Sequence, residues 1–123
     1  MSYLEKVESW MKTNTYQLDP FEDLSALQHL KEKSGYSVAV VVPTLEEEGT
    51  IRNILECLSN KLIKDNKIID ELVVIDGNSK DNTKLICESY SDYVKFYEQD
   101  NILSNICKFK GKGEALWKGL YIT

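Results

Sequence analysis

The sequence predicts an α/β fold built on a parallel sheet, and three features of the chain support this prediction. Two apolar, β-branched runs, 37–42 and 71–75, have the near-continuous hydrophobicity of strands buried on both faces of a sheet. Each run ends in a polar turn, and each turn leads into a segment whose apolar residues recur at helical spacing. Strands and helices that alternate in this way form parallel sheets through right-handed crossovers.

Two helices are predicted ahead of the first strand. Residues 2–12 place Leu4, Val7 and Met11 on one helical stripe, and a second helix is expected to start at an Asp19 cap and to close at Gly35. Neither helix carries a group of residues that suggests chemistry, so both are interpreted as scaffold. We therefore divide the chain into an N-terminal helical segment, 1–35, and a main domain, 36–123.

The main domain is predicted to run β-α-β-α-β-loop-α. Pro43 is expected to end the first strand, because proline cannot donate to a sheet ladder. A long amphipathic helix should follow from Glu47, with apolar residues at Ile51, Ile54, Leu55, Leu58 and Leu62. The second strand ends in the turn 76–81, and a short helix carrying Leu85, Ile86 and Tyr90 leads to a third strand at 93–97. Residues 98–110 are interpreted as a loop, and 111–121 as a helix that opens on glycines.

Composition excludes several classes of function. A net charge of −5 over 123 residues argues against a general nucleic-acid binder, which needs a basic face. The sequence contains no apolar run long enough for a membrane span and no signal peptide, so we expect a cytoplasmic protein. Its three cysteines, Cys57, Cys87 and Cys107, are widely spaced and accompanied by a lone His29, which disfavours a metal cage or a disulfide framework.

Three polar loops are the candidates for a ligand site, because ligands of open parallel sheets bind beyond the carboxyl ends of the strands. The first, 43–47, offers backbone groups and carboxylates to a base or a ribose. The second, 76–81, offers a carboxylate and a hydroxyl, and the third, 110–114, sets a lysine beside glycine amides at a helix start, where diphosphate charge is stabilised. The candidate residues are Pro43, Thr44, Leu45, Glu46, Glu47, Asp76, Ser79 and Lys112.

Each loop also has a purely structural interpretation. The acidic residues 46–48 could simply mark the start of a helix, and Asp76 and Ser79 could be turn and cap residues without any contact to a ligand. Gly111-Lys112-Gly113 lacks the spacing and the Ser/Thr of a P-loop, which disfavours ATP binding of the Walker type. The order and placement of the three loops together favour a nucleotide-binding sheet edge.

Two of these motifs, 41–51 (VVPTLEEEGTI) and 73–83 (VVIDGNSKDNT), resemble the start of inverting GT-A glycosyltransferases of family 2. The third, 111–120 (GKGEALWKGL), is similar to the glucosyl-3-phosphoglycerate synthases within that group, and the resemblance extends from about Phe21 to the end of the chain. It implies a GT-A, Rossmann-like sheet and transfer of glucose from UDP-glucose, or another NDP-glucose, to the 2-hydroxyl of 3-phospho-D-glycerate. It further implies a divalent metal, Mg or Mn, and a homo-oligomer such as a dimer.

Carried over by position, the resemblance places residues 43–47 around the uridine, Ser79 against the nucleotide and Lys112 towards the ribose and diphosphate. Two positions depart from the family pattern: Glu46 stands where Asn is usual, and Gly77-Asn78 replaces the commoner Ser-Gly or Asp-Gly. The change at Asn78 is mild, since Asn tolerates the left-handed region.

The family's Asp-x-Asp metal motif occurs nowhere in the 123 residues, and the resemblance implies that it follows in the next strand, beyond Thr123. We therefore expect an incomplete, N-terminal part of an enzyme, inactive alone because no other group readily replaces the metal. The alternatives are another family 2 enzyme, such as a polyprenyl-phosphate sugar transferase, and a non-catalytic nucleotide-binding module that associates through its open sheet edge. The sequence leaves open the choice between UDP and GDP.

Overall fold

The computed structural model describes residues 1–106 and 108–123; Cys107, one of the thiols considered above, lies outside the described residues. Three parallel strands form one sheet in the order β1 (Ala39–Thr44), β2 (Glu71–Asp76), β3 (Val94–Glu98). Ala39 lies opposite Glu71, and Leu72 lies opposite Val94. The predicted parallel α/β sheet is confirmed, with β2 in its centre.

Five α-helices accompany the strands among the described residues: α1 (Tyr3–Asn14), α2 (Leu24–Ser34), α3 (Ile51–Cys57), α4 (Thr83–Glu88) and α5 (Lys112–Ile122). A π-helix, Leu58–Asp65, continues α3, and short 3₁₀ turns occur at Asp19–Phe21 and Gln99–Asn101. No helix in the described part of the chain has the length and apolarity needed to cross a membrane.

The sheet is covered on both faces, which explains the continuous apolar run in β2. Leu72 and Val74 join a cluster with Ile51 and Leu55 of α3 on one face. Val73 and Ile75 point the other way, because successive strand residues alternate, and they pack with Ala115 of α5 and with Ile102. The two helical layers therefore meet the sheet at the same strand and hold the ends of β1 and β2 in a fixed relation.

Pro43 lies inside β1 and does not end it as expected. In a parallel strand each residue directs its N–H and C=O to one side, and the Thr44 carbonyl accepts from Gly77 N–H at 2.8 Å on the β2 side. The nitrogen of Pro43 therefore faces the other side, where β1 has no neighbour among the described residues. Proline is tolerated at such an edge because no ladder hydrogen bond is lost there.

The helix after β1 begins four residues later than expected, at Ile51. Residues 47–50 form a turn in which the Glu47 carbonyl accepts from the N–H groups of Thr50 and Ile51 at 3.1 and 2.9 Å. The π-helix then widens the winding, so a period of 3.6 residues does not describe the whole segment. Ile54, which was expected on the apolar face of this helix, is 43% exposed.

The N-terminal helices differ from expectation in their details. The cap of α2 is Asp23, whose Oδ1 accepts from Ala26 N–H at 2.9 Å, and not Asp19, which belongs to a 3₁₀ turn. Gly35 closes α2 with φ of +70°, as predicted. None of the residues of α1 is buried, so the stripe that includes Leu4 and Met11 faces solvent.

Candidate functional site

A cavity of about 320 Å³ opens at the carboxyl ends of β1 and β2 and at the start of α5. Its size lies within the range of small-molecule sites. Three predicted loops meet there, as expected for the ligand edge of a parallel sheet. Of the eight candidate residues, five line the cavity: Pro43, Thr44, Leu45, Glu47 and Lys112.

Asp76 and Ser79 lie behind this lining and join the ends of β1 and β2. Asp76 is 2% exposed, and its Oδ1 accepts from Thr44 Oγ1 at 2.9 Å and from Ser79 Oγ at 2.6 Å. Its Oδ2 accepts from Ser79 N–H at 2.8 Å. A buried carboxylate that accepts three hydrogen bonds from both loops holds those loops in place. In this structure Asp76 therefore organises the cavity wall from behind.

The acidic loop after β1 is tied to the second loop by reciprocal hydrogen bonds. Glu46 has a φ of +55°, donates its N–H to Ser79 Oγ at 2.8 Å and accepts Lys80 N–H on Oε1 at 2.6 Å. Glu48 donates its N–H to Asp81 Oδ2 at 3.0 Å and accepts Asn82 N–H on Oε2 at 2.9 Å. The carboxylates of Glu46 and Glu48 thus stabilise the neighbouring loop instead of capping α3.

Two further contacts join the loop after β1 to the loop after β2. Glu47 donates its N–H to Thr83 Oγ1 at 2.9 Å, at the start of α4. Desolvation opposes the ionisation of Asp81, but hydrogen bonds from Thr83 and from Glu48 N–H outweigh it and hold the pKa of Asp81 below its ordinary value. The loop pair is therefore rigidly held, with the Glu47 side of the first loop facing the cavity.

The third wall of the cavity is the beginning of α5. Gly111 has a φ of +112°, a conformation that favours glycine, and as the N-cap residue it has no side chain to accept from the first N–H groups of the helix. Lys110 and Lys112 line the cavity at this point. A helix N-terminus with open N–H groups and two ammonium groups attracts an anion such as a diphosphate.

The loop after β3 contributes residues that the sequence analysis missed. Gln99 and Asp100 line the cavity, and the Asn78 side-chain amide, across from them, donates to Asp100 Oδ2. Asn78 takes a φ of +67°, in keeping with the tolerance expected of asparagine. The sequence contains a signal for Gln99 and Asp100, because they come two and three residues after the predicted strand 93–97 and so lie near the same sheet edge.

A second missed feature lies beneath the cavity, inside α5. The side chain of Lys118 is fully buried and donates from Nζ to the Gln99 carbonyl oxygen at 2.8 Å. Glu114, one turn earlier, has its Oε1 at 3.4 Å from Lys118 Nζ. From the sequence alone, such a lysine is assigned to the solvated face of the helix, because its partner, the Gln99 carbonyl, lies 19 positions away along the chain.

The described residues do not form a metal site of their own. They contain no group of three or more His, Cys, Asp or Glu side chains placed to hold an ion. Asp76, the most buried carboxylate of the site, already accepts three hydrogen bonds within the chain. The divalent metal implied by the resemblance therefore finds no ligand set among these residues.

Comparison with known proteins identifies relatives of this arrangement. Residues 39–123 match the family model of glycosyl transferase family 2. The chain is 40% identical over 101 residues to the glucosyl-3-phosphoglycerate synthase of Petrotoga mobilis. That match covers 82% of this chain and 30% of the relative, so the chain spans about a third of the relative's length.

Solved structures show the same fold. The mannosyl-3-phosphoglycerate synthase of Rubrobacter xylanophilus superposes with a TM-score of 0.83 at 24% identity, over 93% of this chain and 36% of its own, which establishes the likeness of fold. The glucosyl-3-phosphoglycerate synthase of Mycobacterium tuberculosis, in complex with Mn²⁺, UDP and glucosyl-3-phosphoglycerate, superposes with a TM-score of 0.63 at 31% identity. This second match covers 88% of the present chain and 34% of the other.

Proposed function

Because this chain belongs to glycosyl transferase family 2 and has part of a GT-A, Rossmann-like sheet, we propose that it is the nucleotide-sugar-binding, N-terminal part of a glucosyl-3-phosphoglycerate synthase. The observation that carries the proposal is the cavity in which Pro43, Thr44 and Leu45 face the basic start of α5. The wall formed by 43–47 combines apolar and polar groups, which suits a nucleoside. The wall at the start of α5 is cationic, which suits a diphosphate.

The proposed roles follow this division of the cavity. The segment 43–47 holds the uridine, with Glu47 available to ribose hydroxyls and Pro43 and Leu45 against the base. Lys112 neutralises the diphosphate together with the N–H groups of the first turn of α5. Ser79 and Asp76, whose polar groups are engaged with one another and with Thr44 and Glu46, support the nucleotide contacts by fixing the two loops.

In the complete enzyme we expect glucose to pass from UDP-glucose, or another NDP-glucose, to the 2-hydroxyl of 3-phospho-D-glycerate with inversion at the anomeric carbon. A divalent metal, Mg or Mn, would neutralise the leaving diphosphate when bound. The relative from Mycobacterium tuberculosis was crystallised with Mn²⁺, UDP and glucosyl-3-phosphoglycerate, which supports this assignment. The metal ligands and the acceptor site would come from sequence outside these 123 residues, so this chain alone is expected to be inactive.

Three further parts of the proposal concern the whole protein. We assign residues 1–35 to a helical segment and 36–123 to the nucleotide-sugar-binding domain. We expect the enzyme to act in the cytoplasm and to form a homo-oligomer such as a dimer. The exposed apolar side chains of α1, among them Leu4 and Trp10, provide surface that an assembly could bury.

The experiment is a transfer assay on the complete polypeptide that contains these residues. UDP-glucose and GDP-glucose are supplied with Mg²⁺ or Mn²⁺ and with 3-phosphoglycerate or a polyprenyl phosphate as acceptor. Release of UDP that depends on 3-phosphoglycerate supports the proposal. Transfer only to the polyprenyl phosphate would assign the chain to another type of family 2 enzyme.

One observation favours the alternative of a non-catalytic module that associates through its sheet. The outer edge of β1 has no partner strand among the described residues, and Val40, Val41 and Val42 are only partly buried. Open edges invite pairing with another chain. Light scattering and the transfer assay, both on the complete polypeptide, distinguish the two ideas. A concentration-dependent dimer that binds UDP and transfers glucose to neither acceptor favours the module, and a monomer contradicts pairing through this edge.

A further inference from the structure

Lys118 is a buried lysine for which the proposed nucleotide contacts leave no role. It is 0% exposed and lies in α5, two turns after the Gly111–Lys112 start of the helix. Burial of an ammonium group is costly unless partners compensate it. The partners are the Gln99 carbonyl at 2.8 Å and Glu114 Oε1 at 3.4 Å. An apolar side chain would fill this position without the desolvation cost of an ammonium group, so a buried charge here suggests a functional role.

The acceptor of Lys118 leads directly to the cavity. Gln99 is itself 4% exposed, and its side-chain Nε2 donates to the Phe109 carbonyl at 3.2 Å and lies 3.5 Å from the Gly111 carbonyl. These carbonyls belong to the loop that brings Lys110 and Lys112 to the cavity. Gln99 therefore connects the end of β3 to the cationic wall, while Lys118 holds Gln99 by its main chain.

We propose that Lys118 is a positioning residue for the nucleotide diphosphate, acting through Gln99 on the loop 109–111 that presents Lys112. Lys118 fixes the carbonyl of Gln99 from inside α5, and the Gln99 amide fixes the loop that precedes the same helix. The two bonds form a closed connection between the helix, the end of β3 and the loop. Lys118 thereby sets the place of the Lys112 ammonium group and of the first N–H groups of α5. This inference rests on the proposed function.

The arrangement predicts a selective effect on the diphosphate part of the ligand. The cationic wall faces the phosphates, whereas the nucleoside wall is built by 43–47 and held by the separate network of Asp76 and Ser79. Disturbing the Lys118–Gln99 connection should weaken binding of UDP and leave binding of uridine, which has no phosphate, unchanged. A residue with a merely structural role would weaken both ligands in parallel.

The experiment compares the affinities of UDP and of uridine for the protein and for four variants, by ligand titration followed by NMR. Lys118→Met removes the charge at similar length, Lys118→Arg keeps a donor for the Gln99 carbonyl, and Gln99→Leu removes the amide that holds the loop. Lys95→Met is the matched control, because Lys95 pairs with Glu71 on an exposed part of the sheet, away from the cavity. Melting curves verify that each variant is folded.

We expect Lys118→Met and Gln99→Leu to weaken UDP binding about tenfold, the size of one charge-assisted hydrogen bond, with uridine affinity unchanged. Lys118→Arg should retain most of the UDP affinity, and Lys95→Met all of it. If Lys118→Met does not fold, Gln99→Leu still tests the second bond of the connection, between the Gln99 amide and the loop 109–111, with the buried pair intact. Unchanged UDP affinity in the folded variants, or equal loss of both ligands, overturns the inference while leaving the proposed function standing. Failure of the unmodified protein to bind UDP overturns both.

Discussion

Among single residues, Asp76 connects the most parts of the candidate site. It ends β2, is almost completely buried and accepts hydrogen bonds from Thr44 and Ser79. Through Ser79 Oγ, which accepts Glu46 N–H, its influence reaches the acidic loop. The shape of the nucleoside wall therefore depends on one carboxylate that does not line the cavity.

We predict that Asp76→Asn destabilises the protein by about 1–3 kcal/mol, because an amide group would place a donor against the donors of Thr44 or Ser79 and leave one of them unsatisfied. Urea unfolding monitored by circular dichroism measures the loss. Asp92→Asn, at an exposed position, makes the same chemical change outside any such network and should alter stability by less than about 0.5 kcal/mol. Equal effects of the two substitutions would contradict this role of Asp76.

Cys87 gives a second prediction for a single residue. Desolvation in the core, together with the charges of Asp76 and Glu88, raises the pKa of the Cys87 thiol to about 11. The folded state then binds a proton that the unfolded state releases at lower pH. Stability therefore falls as the pH rises from about 9 to about 11.

Alkylation with iodoacetamide, analysed peptide by peptide, tests this prediction. Cys57 is exposed and should react readily at mildly alkaline pH, whereas Cys87 should react only after unfolding or near pH 11. Modification of Cys87 at the same rate as Cys57 in the folded protein would show that the thiol is not buried.

At the scale of elements, the position of α5 depends on a close approach to β1. A Cβ at Gly119 would lie 2.7 Å from Val41 Cγ1 and 3.1 Å from Cγ2, and the β-branched valine has little freedom to yield. In contrast, a Cβ at Gly113, in the first turn of the same helix, meets nothing within 4 Å. These two glycines provide a matched pair for the packing of the helix that carries Lys112.

We predict that Gly119→Ala destabilises the protein by about 1–3 kcal/mol, since added volume in a packed interface displaces its neighbours. Gly113→Ala should be neutral or stabilising, because alanine favours a helix interior over glycine by about 1 kcal/mol. Thermal unfolding of the two variants measures the difference. The combination Gly119→Ala with Val41→Ala should recover part of the loss, and a failure to recover any would place the strain elsewhere.

Helix α2 is attached to the segment that precedes β1 through an ion pair and a hydrogen bond. Lys31 Nζ contacts Asp70 Oδ1 at 2.6 Å, and Asp70 Oδ2 accepts Val38 N–H at 2.7 Å ahead of β1. The hydrogen bond from Lys31 lowers the pKa of Asp70 below its ordinary value of 3.8, and the bond from Val38 N–H adds a smaller effect in the same direction. A depressed carboxyl pKa contributes stability above the ordinary value, and that contribution is lost as the pH falls through the folded-state pKa.

Hydrogen exchange of the amides in α2 tests this attachment. We expect α2 to lose protection below about pH 4 before the sheet does, and Asp70→Asn to produce the same loss at neutral pH. Asp65→Asn, at an exposed position near the same end of the molecule, is the control. If α2 keeps its protection in Asp70→Asn, other contacts hold the helix.

At the scale of the whole molecule, local patterns predicted the layout and left out the contacts between distant segments. The near-continuous apolar run 71–75 predicts a buried strand, and both faces of β2 are covered in the structure. The three loops are predicted to lie together because parallel strands end at one edge, and residues of all three line the cavity. Whether the eight candidate residues contact a nucleotide stays a prediction. Five of them line the cavity, and the other three connect its loops.

What the sequence could not supply depends on pairs far apart in the chain. Lys118 meets the Gln99 carbonyl across 19 positions, and Glu46 meets Lys80 across 34, so no short spacing encodes either contact. The late start of α3 depends on the turn at Glu47, whose N–H donates to Thr83 Oγ1 at the start of α4. Periodicity placed Ile54 on the buried face with Ile51 and Leu55, whereas 43% of its surface is exposed.

We propose above all that this chain binds a nucleoside diphosphate at the edge formed by the ends of β1 and β2 and the start of α5. The most direct measurement is an NMR titration of the isotope-labelled protein with UDP, with the backbone amides assigned. We expect saturable shifts concentrated at residues 44–47, 77–79 and 111–115, and none in α1. Shifts elsewhere on the surface, or no shifts at saturating UDP, would contradict it.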